Sequence, residues 1–140
     1  MSQENVDLVR SIYAAWERGD YGSMEWAHPD VEFVRADGPD PGSWTGAAGL
    51  ATAWRDFLSA WEGYRIQVDA YRELDRERVL VLTKRSGRGK TSGLEVGPEA
   101  ARGATVWHLR DGKVARQVTY WNRNRALADL GLTSEAGSRE

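Results

Sequence analysis

Residues 104–121, ATVWHLRDGKVARQVTYW, predict a long β-hairpin. The Asp111-Gly112 pair lies between two runs of alternating side chains and favours a type I′ turn, because both central residues of that turn need a positive φ. Pairing the strands across the turn gives each strand two faces. One face carries Thr105, Trp107, Leu109, Gln117, Thr119 and Trp121, and the other carries Val106, His108, Arg116, Val118 and Tyr120. Neither face is wholly polar, so we expect one face to line a core or cavity and the other to be covered, for instance by a second subunit.

Composition sets the class of protein. The chain has 140 residues, 41% hydrophobic and 29% charged, which predicts one globular domain over residues 1–132 followed by a polar tail at 133–140. A net charge of −2 argues against nucleic acid or an anionic membrane as a partner. Seven tryptophans favour either a large core or a pocket for a flat apolar ligand. With no cysteine, no apolar leader and no membrane-spanning run, the sequence predicts a cytoplasmic protein without thiol chemistry.

The periodicity of the apolar residues changes along the chain. Spacings of three and four residues predict helices at residues 3–18, 21–27, 47–62 and 123–130. Alternating residues predict strands at 31–35, 64–74 and 78–85 besides the hairpin, with a loop over 36–46 and a Gly-rich turn over 86–93. Helices gather early and strands late, which is typical of an α+β fold. We therefore expect a strongly curved antiparallel sheet packed on three helices, in the shape of a cone.

Three short motifs carry a resemblance to a known family. They are Gly19-Asp20 after the first helix, His28-Pro29-Asp30-Val31 at the start of a strand, and the hairpin segment 109–114, LRDGKV. In this order and spacing the chain resembles, over residues 3 to 131, the SnoaL-like branch of the nuclear transport factor 2-like superfamily. The resemblance implies the cone-shaped α+β fold. Its members include ketosteroid isomerases, polyketide cyclases, epoxide hydrolases, dehydratases and binding modules, so the fold alone does not decide the function.

The resemblance also implies which side chains face the inside of the cone. From the strands these are Phe33, Arg35, Asp37, Thr105, Trp107, Gln117, Thr119 and Trp121, and from the helices Tyr13, Trp16, Trp26 and Trp54. We expect the aromatic residues of this set to bind a flat, apolar or aromatic molecule, with Thr105, Gln117 and Thr119 supplying oriented hydrogen bonds. For the helical tryptophans, Trp16, Trp54 and Trp61, a place in the core is the alternative interpretation.

The acid–base groups of the best-known relatives are missing. Steroid-isomerase-like members need a carboxylate, a tyrosine and a second acid, where this chain has Phe33, Ile12 and Thr105. The position that supplies the base of cyclase-like members is near Thr119, which cannot act as one. The resemblance leaves Asp37 and Arg35 as candidate catalytic residues, the first as a base or water-orienting group and the second holding an anionic or carbonyl oxygen. The alternative is that both lie on a solvated strand end, with Asp37 as a turn residue.

The remaining polar motifs give weaker hypotheses. His28 is expected at a strand start and His108 at an interface, and the two histidines without paired acids give no metal site. The segment 87–91, GRGKT, lacks the first glycine of a phosphate-binding loop and precedes a strand. We interpret Lys84, Arg85, Arg88 and Lys90 as a solvated hairpin tip.

Two functions are consistent with these residues. The first is an isomerase, cyclase or hydratase that acts by acid–base chemistry on a ring-bearing substrate. The second is a non-catalytic protein that binds a small molecule, or a partner, through the same pocket. No cofactor is expected for either. The apolar side chains of Val106, Val118 and Tyr120 on the second hairpin face predict a homodimer formed sheet to sheet.

Overall fold

The computed structural model of the chain describes residues 2–18, 20, 25–37, 42–59, 61–89 and 102–132. The elements are α1 (Ser2–Glu17), β1 (Ala27–Arg35), β2 (Gly42–Thr45), α2 (Ala47–Ser59), β3 (Trp61–Glu73), β4 (Arg78–Gly89), β5 (Arg102–Arg110), β6 (Lys113–Tyr120) and α3 (Arg123–Asp129). They form a curved, open six-stranded sheet with three helices, which confirms the predicted α+β cone. None of the described helices is long and apolar enough to cross a membrane.

The strands are ordered β2-β1-β6-β5-β4-β3 across the sheet. All neighbours are antiparallel except β1 and β6, which pair in parallel. The sheet is therefore mixed, and the prediction of a purely antiparallel sheet was wrong on this pair. A tight turn forces neighbouring strands to run in opposite directions, but β1 and β6 are joined through most of the chain and are free to pair either way.

The predicted β5–β6 hairpin is confirmed. Asp111 and Gly112 both have positive φ, 55° and 77°. Thr105 pairs with Thr119 and Trp107 with Gln117, so the two faces hold the side chains expected of them. We call the face that carries these four residues the inner face of the sheet and the opposite face the outer face.

Helices α1 and α2 pack on the inner face. The apolar stripe predicted for α1 is buried at Val9, Ile12, Tyr13 and Trp16. On α2 the buried side chains include Leu50, Ala53 and Trp54. Together with inner-face residues of β1, β4, β5 and β6 they form one hydrophobic core.

Helix α3 packs on the outer face. Its Ala126 and Leu127 lie in a second apolar cluster with Val106, Val118 and Tyr120 of the sheet, and all five are buried within the single chain. The homodimer was predicted from an exposed patch of the last three residues. That patch is covered by α3, so this ground for a dimer was wrong.

A buried arginine ties α3 to three strands. Arg123 donates from Nη2 to Asp69 Oδ2 at 2.8 Å and to the Thr83 carbonyl at 2.7 Å, and from Nε to the Gly103 carbonyl at 3.2 Å. Asp69 lies at an irregularity of the β3–β4 pairing, which is where a β-bulge redirects a side chain. The contacts of Arg123 thus join the start of α3 to β3, β4 and β5.

Several predicted boundaries shift in the structure. Helix α2 ends at Ser59, so Trp61 opens β3 and does not extend the helical apolar face. The predicted loop over 36–46 contains β2, and Gly46 with φ 89° joins it to α2. Strand β4 continues to Gly89 through the start of the predicted turn at 86–93. The closing helix is as predicted, and Gly131 with φ 76° follows it.

Some predicted segments fall outside the described residues. Of the predicted helix at 21–27, residues 21–24 are not described, Glu25 and Trp26 form a turn, and Ala27 begins β1. The rest of the Gly-rich turn at 90–93 and the polar tail at 133–140 also lie outside the described ranges.

We expect Arg123→Met to lower the free energy of unfolding by about 3 kcal/mol, because it removes three charged hydrogen bonds and leaves the Thr83 and Gly103 carbonyls without this buried donor. Urea unfolding at neutral pH measures this change. Arg125→Met on the same helix is the matched control, since the Arg125 side chain is 53% exposed. For this control we expect a change below about 0.5 kcal/mol. Equal losses in the two variants would contradict the role assigned to Arg123.

Candidate functional site

A narrow cavity lies between the two inner helices and the inner face of the sheet. It is lined by Trp16, Phe33, Arg35, Trp54, Ile66, Arg85, Thr105, Gln117, Thr119 and Trp121. Its volume is about 20 Å³, which is room for about one water molecule. A cavity that binds benzene measures about 150 Å³. The hollow predicted from the sequence is therefore nearly filled by its own side chains.

Strand register arranges the lining residues in successive rows. Phe33 of β1 pairs with Gln117 of β6, and two residues further along Arg35 pairs with Thr119. Thr119 in turn pairs with Thr105 of β5. Side chains on one face of a strand recur about every 7 Å. The row with the amide of Gln117 is therefore followed, about 7 Å along the sheet, by the row with the guanidinium of Arg35 and the hydroxyls of Thr119 and Thr105.

Arg35 is buried at the β1 side of the cavity, with 6% of its surface exposed. One Nη donates to the carbonyl of Ala53 in α2 at 3.0 Å. The guanidinium carbon lies 4.7 Å from the ring centre of Trp44 and 5.4 Å from that of Phe33. Because an arginine keeps its charge in proteins, these contacts hold a positive charge against the cavity.

Arg85 supplies a second buried positive charge from β4, with 5% of its surface exposed. Its guanidinium carbon lies 4.9 Å from the ring centre of Trp121. Its Nε has no hydrogen-bond partner among the described residues. A Cβ added at Gly103 would lie 3.7 Å from Arg85 Cζ and 2.6 Å from the Tyr120 carbonyl, so glycine permits this close packing.

The interpretation of Arg85 as part of a solvated hairpin tip was wrong. Val79, Val81, Thr83 and Arg85 alternate along β4, and the first two belong to the inner core. Extending this period of two would have placed Arg85 inside. Ile66, which the sequence analysis also left out, follows the same rule on β3.

Trp121 forms the exposed side of the cavity. It is the only lining residue in the described part of the chain that is not buried. Its ring stacks on Trp61 with centres 5.8 Å apart and an interplanar angle of 28°. The ring therefore contacts both Trp61 and the guanidinium of Arg85.

The two candidate catalytic residues have different surroundings. Arg35 lines the cavity, whereas the described lining does not include Asp37. The Asp37 carboxylate accepts hydrogen bonds from the backbone N–H of Trp121 at 2.5 Å and of Asn122 at 3.3 Å. It therefore fixes the junction between β6 and α3 and, through it, the backbone that carries Trp121. Its predicted role as a base stays a prediction.

The predicted aromatic residues divide into two groups. Trp16 and Trp54 line the cavity, with ring centres 5.0 Å apart and nearly perpendicular planes. Tyr13, Trp26 and Trp107 are not among the described lining residues and pack on one another, with the Trp107 ring 5.7 Å from each of the other two. Trp107 Nε1 donates to the Tyr13 hydroxyl at 3.2 Å, and burial raises the pKa of Tyr13 well above its ordinary value. Burial therefore favours the neutral form of the Tyr13 phenol.

The histidines lie away from the cavity. His108 is on the outer face, where burial and then the charges of Arg116 and Arg78 lower its pKa. His28 approaches Asp30 at 3.8 Å at the start of β1. Within the described ranges, no three His, Asp or Glu side chains come together as metal ligands.

The sequence matches the model of the SnoaL-like domain family over residues 9–117. This match spans most of the chain, and the cone fold agrees with it. The chain belongs to the SnoaL-like family. A comparison with curated proteins finds no significant match.

Solved structures with the same fold include a nuclear transport factor 2-like protein of Burkholderia thailandensis. It is 25% identical, with 81% of this chain and 86% of that one covered and a TM-score of 0.72. TerC, co-crystallised with polyporic acid, is 24% identical over 91% and 97% of the chains, with a TM-score of 0.69. A protein of Xanthomonas campestris pv. campestris, provisionally assigned as a polyketide cyclase, is 23% identical over 91% and 96%, with a TM-score of 0.65.

We expect Asp37→Asn to lower the free energy of unfolding by about 1 kcal/mol, because hydrogen bonds to a charged acceptor are replaced by weaker ones. Chemical denaturation measures the change. Asp30→Asn is the matched control on β1, since its side chain is 73% exposed and its ion pairs are long. A loss in the Asp37 variant no larger than in this control would contradict its structural role.

Proposed function

We propose that the protein binds a flat, ring-bearing small molecule that carries an anionic oxygen, with the charge held by Arg85 and Arg35. The observation that carries this proposal is the pair of buried guanidiniums in an aromatic-walled cavity. No aspartate or glutamate is among the described lining residues. The charged groups of the described lining are therefore the two guanidiniums.

Electrostatics favours an anion over a neutral ligand at this place. A buried charge is costly unless hydrogen bonds and an opposite charge compensate it. Arg85 Nε is a donor buried beside the cavity that lacks an acceptor among the described residues. A carboxylate or phenolate oxygen fits this donor, and hydrogen bonds with both partners charged are about twice as strong as neutral ones.

The walls of the cavity favour a flat ring. Trp16, Trp54, Trp121 and Phe33 present aromatic surfaces to it. Two hydroxyls, of Thr105 and Thr119, lie on the sheet side and can orient a polar substituent. TerC, which shares the fold, was crystallised with the small molecule polyporic acid, and this supports a ligand-binding use of the fold.

The lining favours binding over acid–base catalysis. An isomerase, cyclase or hydratase of the expected kind needs a group that takes a proton at the ligand. Thr119 cannot do so, and the carboxylate of Asp37 is engaged by two backbone N–H groups. The guanidiniums of Arg35 and Arg85 are hydrogen-bond donors without an acceptor atom. They can bind and polarise an oxygen atom of a ligand. The groups that line the cavity therefore fit binding better than acid–base catalysis.

A ring can be admitted only if a side chain moves, because the cavity holds about one water molecule. Trp121 is the side chain whose movement costs least, since it is partly exposed while the other described lining residues are buried. A ligand ring that replaces the Trp121 ring would keep an aromatic face beside Arg85. We assign Trp121 as the gate of the cavity.

Titration of 2-naphthoate and of its neutral analogue 2-naphthamide tests the proposed ligand class, with tryptophan fluorescence or calorimetry as the readout. We expect the anion to bind the wild type at least about tenfold more tightly than the amide. In Arg85→Met and Arg35→Met this preference should disappear, while binding of the amide should change little. Circular dichroism and thermal melting establish that the variants are folded.

Lys84→Met is the matched control for the charge. Lys84 neighbours Arg85 in the sequence, but its side chain is 53% exposed and lies near Asp69. We expect this variant to keep the preference for 2-naphthoate. Equal binding of anion and amide by the wild type, or binding of neither, would overturn the proposal.

We expect Trp121→Ala to raise the association rate constant of 2-naphthoate by about tenfold, because binding no longer waits for a conformational change. Stopped-flow quenching of tryptophan fluorescence measures the rate. Trp26→Phe is the control, since Trp26 packs on Trp107 and is not among the described lining residues. An unchanged association rate constant in Trp121→Ala would show that the ligand does not enter past Trp121, which would contradict its role as the gate.

A further inference from the structure

Gln117 is the polar residue at the inner end of the cavity. Its neighbours across the sheet are Phe33 on β1 and Trp107 on β5. It is 3% exposed, so its amide is removed from solvent among aromatic rings. The next inner-face residue of β6 is Thr119, about 7 Å further toward Trp121.

The amide of Gln117 is satisfied on one side only. Its Nε2 donates to Thr119 Oγ1 at 3.4 Å, which is a long hydrogen bond. Its Oε1 has no hydrogen-bond partner among the described residues. Buried polar atoms in native proteins nearly always have a partner, so a carbonyl oxygen placed in this way indicates a missing donor.

The two ends of the cavity therefore need different hydrogen-bonding groups on a ligand, an acceptor at one end and a donor at the other. Arg35 and Arg85 can only donate, whereas Gln117 Oε1 can only accept. A ligand that satisfies both ends carries an anionic oxygen at one end of its ring system and a hydroxyl at the other. Along the strands Arg35 lies one row of side chains from Gln117 and Arg85 lies three rows from it. These spacings are roughly 7 and 20 Å between backbones.

We propose that Gln117 is the specificity-determining residue of the site and selects hydroxylated aromatic anions by accepting a hydrogen bond from the ligand hydroxyl. This inference rests on the proposed function, because it assumes that the arginines hold the anionic end. It adds a requirement that the arginines do not impose. A ligand with a hydroxyl remote from its acidic group gains affinity from Gln117, whereas the corresponding methyl ether does not.

The test compares three anions of the same ring system by calorimetry: 6-hydroxy-2-naphthoate, 6-methoxy-2-naphthoate and 2-naphthoate. We expect the wild type to bind the hydroxylated anion about tenfold more tightly than 2-naphthoate, and the methoxy compound no more tightly than 2-naphthoate. In Gln117→Met, which keeps the length of the side chain and removes the acceptor, the tenfold preference should vanish while 2-naphthoate still binds.

Gln117→Glu is the second variant, because it keeps an acceptor oxygen. We expect it to bind every anion more weakly than the wild type but to retain the preference for the hydroxyl. If Gln117→Met fails to fold, Gln117→Glu still tests the proposal, because loss of the preference for the hydroxyl in this variant would contradict it. Arg116→Met on the outer face of the same strand is the control, since its side chain is 44% exposed and pairs with Glu32, and we expect it to retain the preference.

Equal affinity of the wild type for 6-hydroxy-2-naphthoate and 2-naphthoate would overturn the role of Gln117 and leave the anion site standing. The same holds if Gln117→Met keeps the tenfold preference. If the wild type binds none of the three anions, the proposed function fails, and the role of Gln117 fails with it.

Discussion

The hydrogen-bond register between β5 and β6 is the constraint on which the site depends. Positive φ angles at Asp111 and Gly112 close the hairpin and fix which residues face each other. Because side chains alternate with a period of two, a slip of one residue would turn Thr119 to the outside and Val118 to the inside. Such a slip would remove both the lining of the cavity and the apolar surface on which α3 packs. Both faces of this hairpin are buried in the folded chain, and this strongly specifies the register.

The junction between β6 and α3 joins the two sides of the sheet. Trp121 faces the cavity, Asn122 caps α3 by accepting from the Arg125 N–H at 3.0 Å, and Arg123 is buried on the outer side. Asp37 holds the backbone of the first two residues. A rigid backbone beneath a partly exposed ring allows the ring to move while the helix stays in place. The carboxylate of Asp37 thus serves this junction, since its two oxygens accept from backbone N–H groups. Helix α3 of the same chain covers the apolar part of the outer face at Val106, Val118 and Tyr120.

Two guanidiniums buried near one small cavity are an unusual choice for a protein interior, because removing a charge from water is costly. The Ala53 carbonyl and the faces of Trp44 and Trp121 offset part of this cost. Donors at one end and an acceptor at the other end, on Gln117, leave the cavity polar at both ends and aromatic between them. Under the proposed function, such a lining would discriminate among flat molecules by their polar substituents, since rings of similar size fill the apolar middle about equally well.

The sequence by itself determined the hairpin, the apolar stripe of α1, the α+β class and the inward direction of alternating residues on β1, β5 and β6. The hairpin, the stripe and the fold class follow from local rules of turn conformation and periodicity, whereas the inward direction came from the family resemblance. Only the tertiary structure decided that β1 pairs in parallel with β6, that α3 covers Val106 and Val118, and that Arg85 lies inside. Whether an apolar face meets a helix, a second subunit or solvent depends on segments far away in the sequence. The size of the cavity is likewise a property of packing, because Trp16, Trp54 and Trp121 reach it from three separate elements. Their positions along the chain carry no information on how closely the rings meet.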